Sequence, residues 1–147
     1  MNSTHKRALV ILVGIVFSTL VQGQIVDIPD TTFKNYLLNH SGINLNSDSN
    51  IQVSEALAYD SGIEVNNMGI SDLTGIEAFE NLNLLECSRN NLSKLNLSNN
   101  ANLYWLKCDD NQIDTLDLSN CPLLSLIECQ YNNINQLTLP QSQAITD

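Results

Sequence analysis

Residues 85–97 read LECSRNNLSKLNL, and the pattern returns at residues 106–118 as LKCDDNQIDTLDL and at residues 127–139 as IECQYNNINQLTL. Both steps are 21 residues long. Each copy has an aliphatic residue, a cysteine, an asparagine and further aliphatic residues at fixed offsets. A fixed period of this length predicts a solenoid, in which successive turns stack and share one apolar core. Such a fold favours a function that depends on an exposed surface.

Two runs in each copy alternate apolar and polar residues, which is the period of a β-strand. The first run contains Leu85 and Cys87, and the second contains Leu95 and Leu97. We therefore predict two ladders of short parallel strands with little helix between them. Residues 63–65 begin an earlier, irregular turn, which gives about four turns in total. The predicted fold class is a mainly β solenoid with an α-helical N-terminal cap.

The cap is predicted over residues 24–60, which do not repeat. A helix pattern follows Pro29 and Asp30 and stops near residue 40, and a second short helix is predicted over residues 54–59 with Ser54 as its N-cap. A solenoid needs such a cap over its first open edge. The repeats then extend over residues 61–140, and residues 141–147 form a tail.

The three periodic cysteines, Cys87, Cys108 and Cys129, occupy inward positions of the first strand run. Parallel side-chain directions on neighbouring strands suit a disulfide poorly, so we predict buried free thiols that act as small apolar side chains. Cys121 lies off this ladder, at a turn. The periodic asparagines, Asn90, Asn111 and Asn132, are predicted to hydrogen-bond the backbone at the bend after each strand.

The repeat motif Leu-x-Cys-x-x-Asn-x-Leu/Ile-x-x-Leu-x-Leu resembles that of the leucine-rich-repeat family. The segments 28–33 and 70–79 resemble the cap region of secreted bacterial members, internalin-like and typical of Bacteroidetes. The resemblance covers about residues 25–140. It implies a repeat protein that binds a partner, and its motifs specify the fold far better than the function.

The first 23 residues have the pattern of a signal peptide. His5, Lys6 and Arg7 form a basic start, residues 8–20 are apolar, and residues 21–23 suit cleavage. Cleavage there changes the formal net charge from −10 to −12, because Lys6 and Arg7 are removed. We therefore expect an exported protein, secreted or at the cell surface, with no stable membrane insertion after cleavage. Its acidic surface argues against nucleic acid as a partner.

Residues 44–55 read NLNSDSNIQVSE and have the spacing of an EF-hand calcium loop between two helices. Position 1 is asparagine, and serine replaces the glycine of position 6, so calcium affinity would be weak. The alternative is a polar loop whose side chains cap backbone groups. Both interpretations remain open. The candidate ligands are Asn44, Asn46, Asp48, Asn50 and Glu55.

The register of the repeats places three rows of side chains on the outer face of the first strand ladder. The first row is Glu64, Glu86, Lys107 and Glu128, and Lys107 lies where it can pair with both neighbouring glutamates. The second row is Asn66, Ser88, Asp109 and Gln130, and the third is Asn67, Arg89, Asp110 and Tyr131. Tyr104 and Trp105 precede one strand, and we expect Trp105 to be partly buried. The candidate binding residues are Glu64, Glu86, Arg89, Tyr104, Trp105, Lys107, Asp109, Asp110, Glu128 and Tyr131.

No catalytic constellation appears in the sequence, since His5 and His40 are the only histidines and no phosphate-binding loop is present. We therefore predict that the chain is not an enzyme and has no certain cofactor. The favoured function is an exported binding module that presents the strand wall to a protein, as an adhesin or adaptor does. Two alternatives stay open: a structural spacer with a weak calcium-binding cap, and a glycan-binding module that uses Tyr104, Trp105 and Tyr131.

Overall fold

A computed structural model describes residues 23–141 of the chain. The predicted signal peptide and the tail therefore lie outside the described residues, apart from Gly23 and Gln141. Within residues 23–141, two α-helices and six short strands follow one another, with a single turn of 3-10 helix at Ile76–Ala78. Their bounds are α1 Thr31–Asn39, α2 Val53–Ala58, β1 Gly62–Glu64, β2 Leu84–Glu86, β3 Trp105–Lys107, β4 Thr115–Asp117, β5 Leu126–Glu128 and β6 Gln136–Thr138.

The main sheet contains four parallel strands in the order β1-β2-β3-β5, one from each turn of the solenoid. Its register aligns Ile63, Leu85, Leu106 and Ile127. A second sheet pairs β4 with β6 in parallel. The structure therefore confirms the predicted solenoid of about four turns with parallel strands. The second ladder is shorter than predicted, because residues 95–97 do not form a strand.

The inward side chains of both ladders fill one core. Leu85, Leu106, Leu116 and Leu118 are fully buried, and Phe33 of α1 and Phe79 of the irregular turn close the core beneath the cap. Each such side chain contributes about 1.5–3 kcal/mol of stability through removal of apolar surface from water. The same positions in the last turn are far more open: Ile127, Leu137 and Leu139 are all exposed.

The periodic cysteines lie in this core as predicted. All four thiols are free, and Cys87 and Cys108 are completely buried while Cys129, in the last turn, is half-buried. Cys121 is buried too, in the position that Asn100 holds one turn earlier. The Cys121 thiol donates to the carbonyl oxygen of Leu97 at 3.7 Å, as the amide of Asn100 does to that of Ile76 at 3.0 Å.

The periodic asparagines join each turn to the one before it. The side-chain amide of Asn90 donates to the carbonyl of Val65 at 2.8 Å, and its oxygen accepts from the N–H groups of Met68 and Ile70. Asn111 and Asn132 repeat this pattern one and two turns later. The predicted backbone role is confirmed, although the amides connect the turns through backbone groups and not through each other.

A carboxylate accepts backbone N–H bonds at the start of each cap helix. Asp30 is the N-cap of α1 and accepts from the N–H groups of Thr32 and Phe33. For α2 the prediction of Ser54 was wrong, because Gln52 is the N-cap and forms a capping box with Glu55. Glu55 reaches the N–H of Gln52 at 2.9 Å, a bond that a charged carboxylate makes strong. Helix α2 therefore starts one residue earlier than the sequence indicated.

Candidate binding wall

The outer face of the main sheet is built by the alternation of each three-residue strand, whose central residue points inward. The register pairs Glu64 with Glu86, Glu86 with Lys107, and Lys107 with Glu128. The predicted first row therefore exists, with neighbours one strand apart, or about 4.8 Å in a parallel sheet. We call this face, together with the bends that follow its strands, the strand wall.

The bends after the strands share an unusual backbone conformation. Asn67, Arg89, Asp110 and Tyr131 all have left-handed φ angles, of 56°, 57°, 53° and 56°. Asparagine and aspartate adopt this region at modest cost, whereas arginine and tyrosine do so at about 1–2 kcal/mol. The conformation turns the chain sharply away from the sheet, so the side chains of these four residues stand at one end of the strand wall.

A groove of about 470 Å³ runs along this end of the strand wall. Six of the ten predicted binding residues line it: Arg89, Lys107, Asp109, Asp110, Glu128 and Tyr131. Glu64, Glu86, Tyr104 and Trp105 do not. The prediction included only charged and aromatic residues of the three rows, and it therefore missed the neutral polar ones. The other residues that line the groove are Asn66, Asn67, Ser88 and Gln130.

The charges of the strand wall pair differently from the prediction. Lys107 lies 3.5 Å from the carboxylate of Glu128, but Glu86 instead accepts from the side-chain amide of Asn66 at 2.7 Å. Lys107 also lies over the Trp105 ring, with its nitrogen 5.3 Å from the ring centroid. The expected pairing of Lys107 with both glutamates is therefore wrong for Glu86, because Lys107 is directed toward Glu128 and the indole.

The second and third rows are joined across neighbouring turns by polar contacts. Arg89 lies 3.6 Å from Asp110, with both side chains largely exposed. The hydroxyl of Ser88 donates to the carboxylate of Asp109. Exposed pairs of this kind contribute only about 0.2–1 kcal/mol each, so they order the rows more than they stabilise the fold.

The three predicted aromatic residues occupy different parts of the strand wall. Tyr131 is 76% exposed and stands at the groove, where its strand ends. Tyr104 is 51% exposed but precedes its strand, and therefore lies at the opposite end of the wall. Trp105 is half-buried, as predicted. The strands are parallel, so Tyr104 and Tyr131 do not form one continuous aromatic platform.

The loop that resembles an EF-hand is closed by its own hydrogen bonds. One carboxylate oxygen of Glu55 accepts from the N–H groups of Leu45 and Asn46, at 2.8 and 3.2 Å. Asp48 accepts from the N–H of Asn50 at 2.7 Å, and this bond lowers the pKa of Asp48, although desolvation opposes it. These contacts match the alternative of a polar loop that caps backbone groups.

The side-chain amides of Asn44 and Asn46 also donate to groups within the cap. The amide of Asn44 donates to the carbonyls of Leu38 and Asp48, both at 3.0 Å, and its buried oxygen has no hydrogen-bond partner. The amide of Asn46 donates to Asp48 and Gln52. Within residues 23–141, no group of three or more histidine, cysteine, aspartate or glutamate side chains is placed to hold a metal ion. The weak calcium site stays a prediction.

No family model matches the sequence, and the comparison with curated proteins found no match. Solved structures do match. The functional domain of InlJ from Listeria monocytogenes, which includes a cysteine ladder, superimposes with a TM-score of 0.57 and 27% identity over 74% of this chain. The internalin InlF from Listeria monocytogenes superimposes with a TM-score of 0.60 and 18% identity over 82% of this chain.

These structural neighbours are leucine-rich-repeat proteins of the internalin type, and they confirm the predicted fold class. This chain spans 25% and 39% of the lengths of the two neighbouring chains. In the part of the chain that the structure describes, no helix has the length and apolar character needed to cross a bilayer.

Proposed function

We propose that this chain is an exported leucine-rich-repeat module that binds a protein partner through the groove of the strand wall, as an adhesin or an adaptor does at the cell surface. The observation that carries the proposal is the groove itself. Its ten lining residues come from all four turns, and Tyr131 stands beside it with three quarters of its side chain exposed. Tyrosine and arginine are enriched at the hot spots of protein interfaces, and Tyr131 and Arg89 both line the groove.

The internalin neighbours support this proposal at the level of the fold, because repeat proteins use their extended surfaces to bind other proteins. The aromatic residues favour a protein over a glycan. Sugar binding of the kind predicted from Tyr104, Trp105 and Tyr131 requires rings that share one surface, whereas Tyr104 and Tyr131 stand at opposite ends of the strand wall.

The test is capture of partners by the purified chain from the culture medium and cell surface of its source. Three baits are compared: the natural chain, Tyr131→Ala in the groove, and Tyr104→Ala outside it. We expect a protein that the natural chain and Tyr104→Ala retain equally, and that Tyr131→Ala retains at least about tenfold less, which is the loss typical of an interface hot spot.

Equal capture by all three baits, or capture of no protein, contradicts the proposal. Circular dichroism and thermal melting of each bait check that the fold is intact. Both tyrosines are exposed, so neither substitution removes core packing.

A further inference from the structure

The strand wall also carries an apolar stripe beside its charged row. Leu84, Trp105 and Leu126 are aligned by the register of β2, β3 and β5 and face outward. Leu84 and Trp105 are half-buried and Leu126 is 46% exposed. Gly62 begins the stripe, and Leu84 lies over it: a Cβ atom at Gly62 would be 2.9 Å from Leu84 Cδ2. The stripe is continuous because glycine leaves room for that leucine.

The row next to the stripe contains three glutamates and Lys107, and further charged residues lie in the bends that follow it. Among residues 23–141, the strand wall carries five carboxylates and two cations: Glu64, Glu86, Asp109, Asp110, Glu128, Arg89 and Lys107. Both cations are already paired, Lys107 with Glu128 and Arg89 with Asp110. Glu86 and Asp109 accept only from the neutral groups of Asn66 and Ser88. The wall therefore has three carboxylates in excess, within a chain of net charge −10.

The apolar stripe and the unpaired carboxylates of Glu64, Glu86 and Asp109 complement a ligand that is apolar along one edge and basic along the other. Acidic partners are repelled by the excess carboxylates, and purely basic ones leave the stripe exposed to water. Basic groups placed over Glu64, Glu86 and Asp109 would supply the charges that the wall lacks.

We propose that the partner presents a basic, amphipathic polypeptide segment, with aliphatic side chains on the stripe of Leu84, Trp105 and Leu126 and lysine or arginine over the unpaired carboxylates. This inference rests on the proposed function and names the chemistry of the partner. It extends the contact surface from the groove to the stripe and to the glutamates beside it.

Fluorescein-labelled peptides test the inference by fluorescence anisotropy. The probe is the heptapeptide LKLKLKL, compared with LELELEL, which has the opposite charge, and with heptalysine, which lacks the apolar edge. We expect LKLKLKL to bind at least about tenfold more tightly than either of the other two, because only it satisfies both features of the wall. Equal binding of LELELEL, or heptalysine binding as tightly as LKLKLKL, overturns the proposal.

Variants then place the peptide on the wall. Glu64→Gln combined with Glu86→Gln, and separately Leu126→Ser, should each weaken LKLKLKL binding about fivefold or more. The control is Glu80→Gln, an exposed glutamate outside the wall, which should change binding less than about twofold. If these variants bind LKLKLKL as tightly as the natural chain does, the peptide is attracted non-specifically to the acidic protein. That result overturns the inference.

The two proposals fail in distinguishable ways. Partner capture that depends on Tyr131, together with no binding of LKLKLKL, overturns the basic amphipathic partner and leaves the protein-binding groove intact. If neither Tyr131-dependent capture nor LKLKLKL binding is observed, both proposals are overturned. Binding of LKLKLKL that requires Glu64 and Glu86 supports the inference even when capture finds no partner, because the peptide reports on the wall directly.

Discussion

The side-chain amide of Asn111 donates to the carbonyl oxygen of Cys87, 24 residues earlier in the chain, at 3.0 Å. The same amide also donates to Cys108, and its oxygen accepts from the N–H of Leu92 at 3.0 Å. One buried side chain therefore joins two turns of the solenoid and closes the bend between them. Because these hydrogen bonds recur with the 21-residue period, the asparagine ladder helps to fix the register of the turns.

Replacement of Asn111 by leucine should be costly. The leucine fills a similar volume but leaves the N–H of Leu92 without its acceptor, and an unsatisfied buried group costs about 1–3 kcal/mol. We expect Asn111→Leu to lower the free energy of unfolding by about 3 kcal/mol, measured by urea denaturation and circular dichroism. The control Asn99→Ala, on an exposed residue, should change it by less than about 0.5 kcal/mol. Equal effects of the two substitutions would show that the asparagine ladder is dispensable.

Gly75 and Gly69 form a matched pair for a test of the cap. Both have positive φ angles, of 101° and 71°. A Cβ atom at Gly75 would lie 2.8 Å from the carbonyl oxygen of Asp27, whereas one at Gly69 would lie 4.0 Å from its nearest neighbour. Gly69→Ala should therefore cost about 1 kcal/mol from backbone strain alone, and Gly75→Ala clearly more.

Thermal melting of Gly69→Ala and Gly75→Ala measures the stability that each variant loses. The difference between the two losses shows how tightly the segment around Asp27 packs on the first turn. If both alanine variants lose the same stability, the close approach of the two backbones does not contribute. Circular dichroism follows each melting transition. The two losses can be compared directly because neither substitution removes an apolar side chain.

The sequence predicted most of the fold because the repeat is visible as a period. Positions such as Leu85, Cys87 and Asn90 are determined by alternation and by backbone groups that need partners, and the structure places them accordingly. Details that depend on the choice of side-chain conformation were not predictable. Lys107 has two equivalent glutamate neighbours in the register, and only the structure shows that it pairs with Glu128 and lies over the Trp105 ring.

Other features were missed because their signal is not periodic. The N-cap of α2 is Gln52, a residue with little intrinsic preference for that position, and Glu55 completes the capping box from within the helix. The left-handed bend residues Asn67, Arg89, Asp110 and Tyr131 include two types that rarely adopt this conformation. A glycine or asparagine at every bend would have indicated the left-handed conformation from the sequence.

The thiols should differ in reactivity with their depth in the core. Burial, reinforced by the charge that Cys108 and Asp109 would contribute, raises the pKa of Cys87 well above its usual value. Burial, followed by the influence of Cys129 and Asp109, raises the pKa of Cys108 to about 12. Because the thiolate is the reactive form, we expect iodoacetamide at pH 8 to modify the half-buried Cys129 first in the folded protein.

Mass spectrometry of tryptic peptides before and after addition of urea measures this order. Cys87 and Cys108 should react only after unfolding, and Cys121, whose pKa is raised by burial, should behave like them. Rapid modification of Cys87 in the folded protein contradicts the buried ladder. A Cys129→Ala variant serves as the control, because it should remove the early product and leave the slow ones unchanged.

The Asp30 carboxylate connects the cap to the first turn and should make stability depend on pH. Partial burial alone would raise the pKa of Asp30, but hydrogen bonds from the N–H groups of Ser71, Phe33 and Thr32 outweigh it, and the pKa is lowered. A lowered pKa in the folded state contributes stability above the ordinary value of 3.8, and that stability is lost as the pH falls through the folded pKa.

Asp30→Asn should therefore cost about 1–2 kcal/mol at pH 7, since a neutral amide replaces the charged cap and one of its oxygens. The difference between the two proteins should shrink as the pH falls below about 4. Urea denaturation at several pH values measures it. Asp60→Asn, at an exposed aspartate, is the control and should change stability by less than about 0.5 kcal/mol at pH 7. A cost of Asp30→Asn that is the same at pH 3 and pH 7 would contradict the role of the charge.

Glu55 separates the two interpretations of the loop at residues 44–55. Its two carboxylate oxygens already accept three backbone N–H bonds, from Leu45, Asn46 and Gln52, so a calcium ion would have to replace contacts that hold the loop to α2. We expect Glu55→Gln to lower the free energy of unfolding by about 2 kcal/mol, because an amide nitrogen then faces a backbone donor. The loss should be the same in chelator and in excess calcium.

Thermal melting of the natural chain and of Glu55→Gln, each with EDTA and with calcium chloride at about 10 mM, measures both effects, since an ion bound only by the folded state raises the melting temperature. Asp48→Asn is the matched variant: it removes the other full charge of the loop and leaves the Glu55 contacts in place. Calcium-dependent stabilisation that both variants abolish would assign the loop to calcium. If calcium does not stabilise the chain, the role of Glu55 is to accept the backbone N–H bonds of its own cap. The resemblance to an EF-hand then arises because a tight polar loop needs short oxygen-bearing side chains.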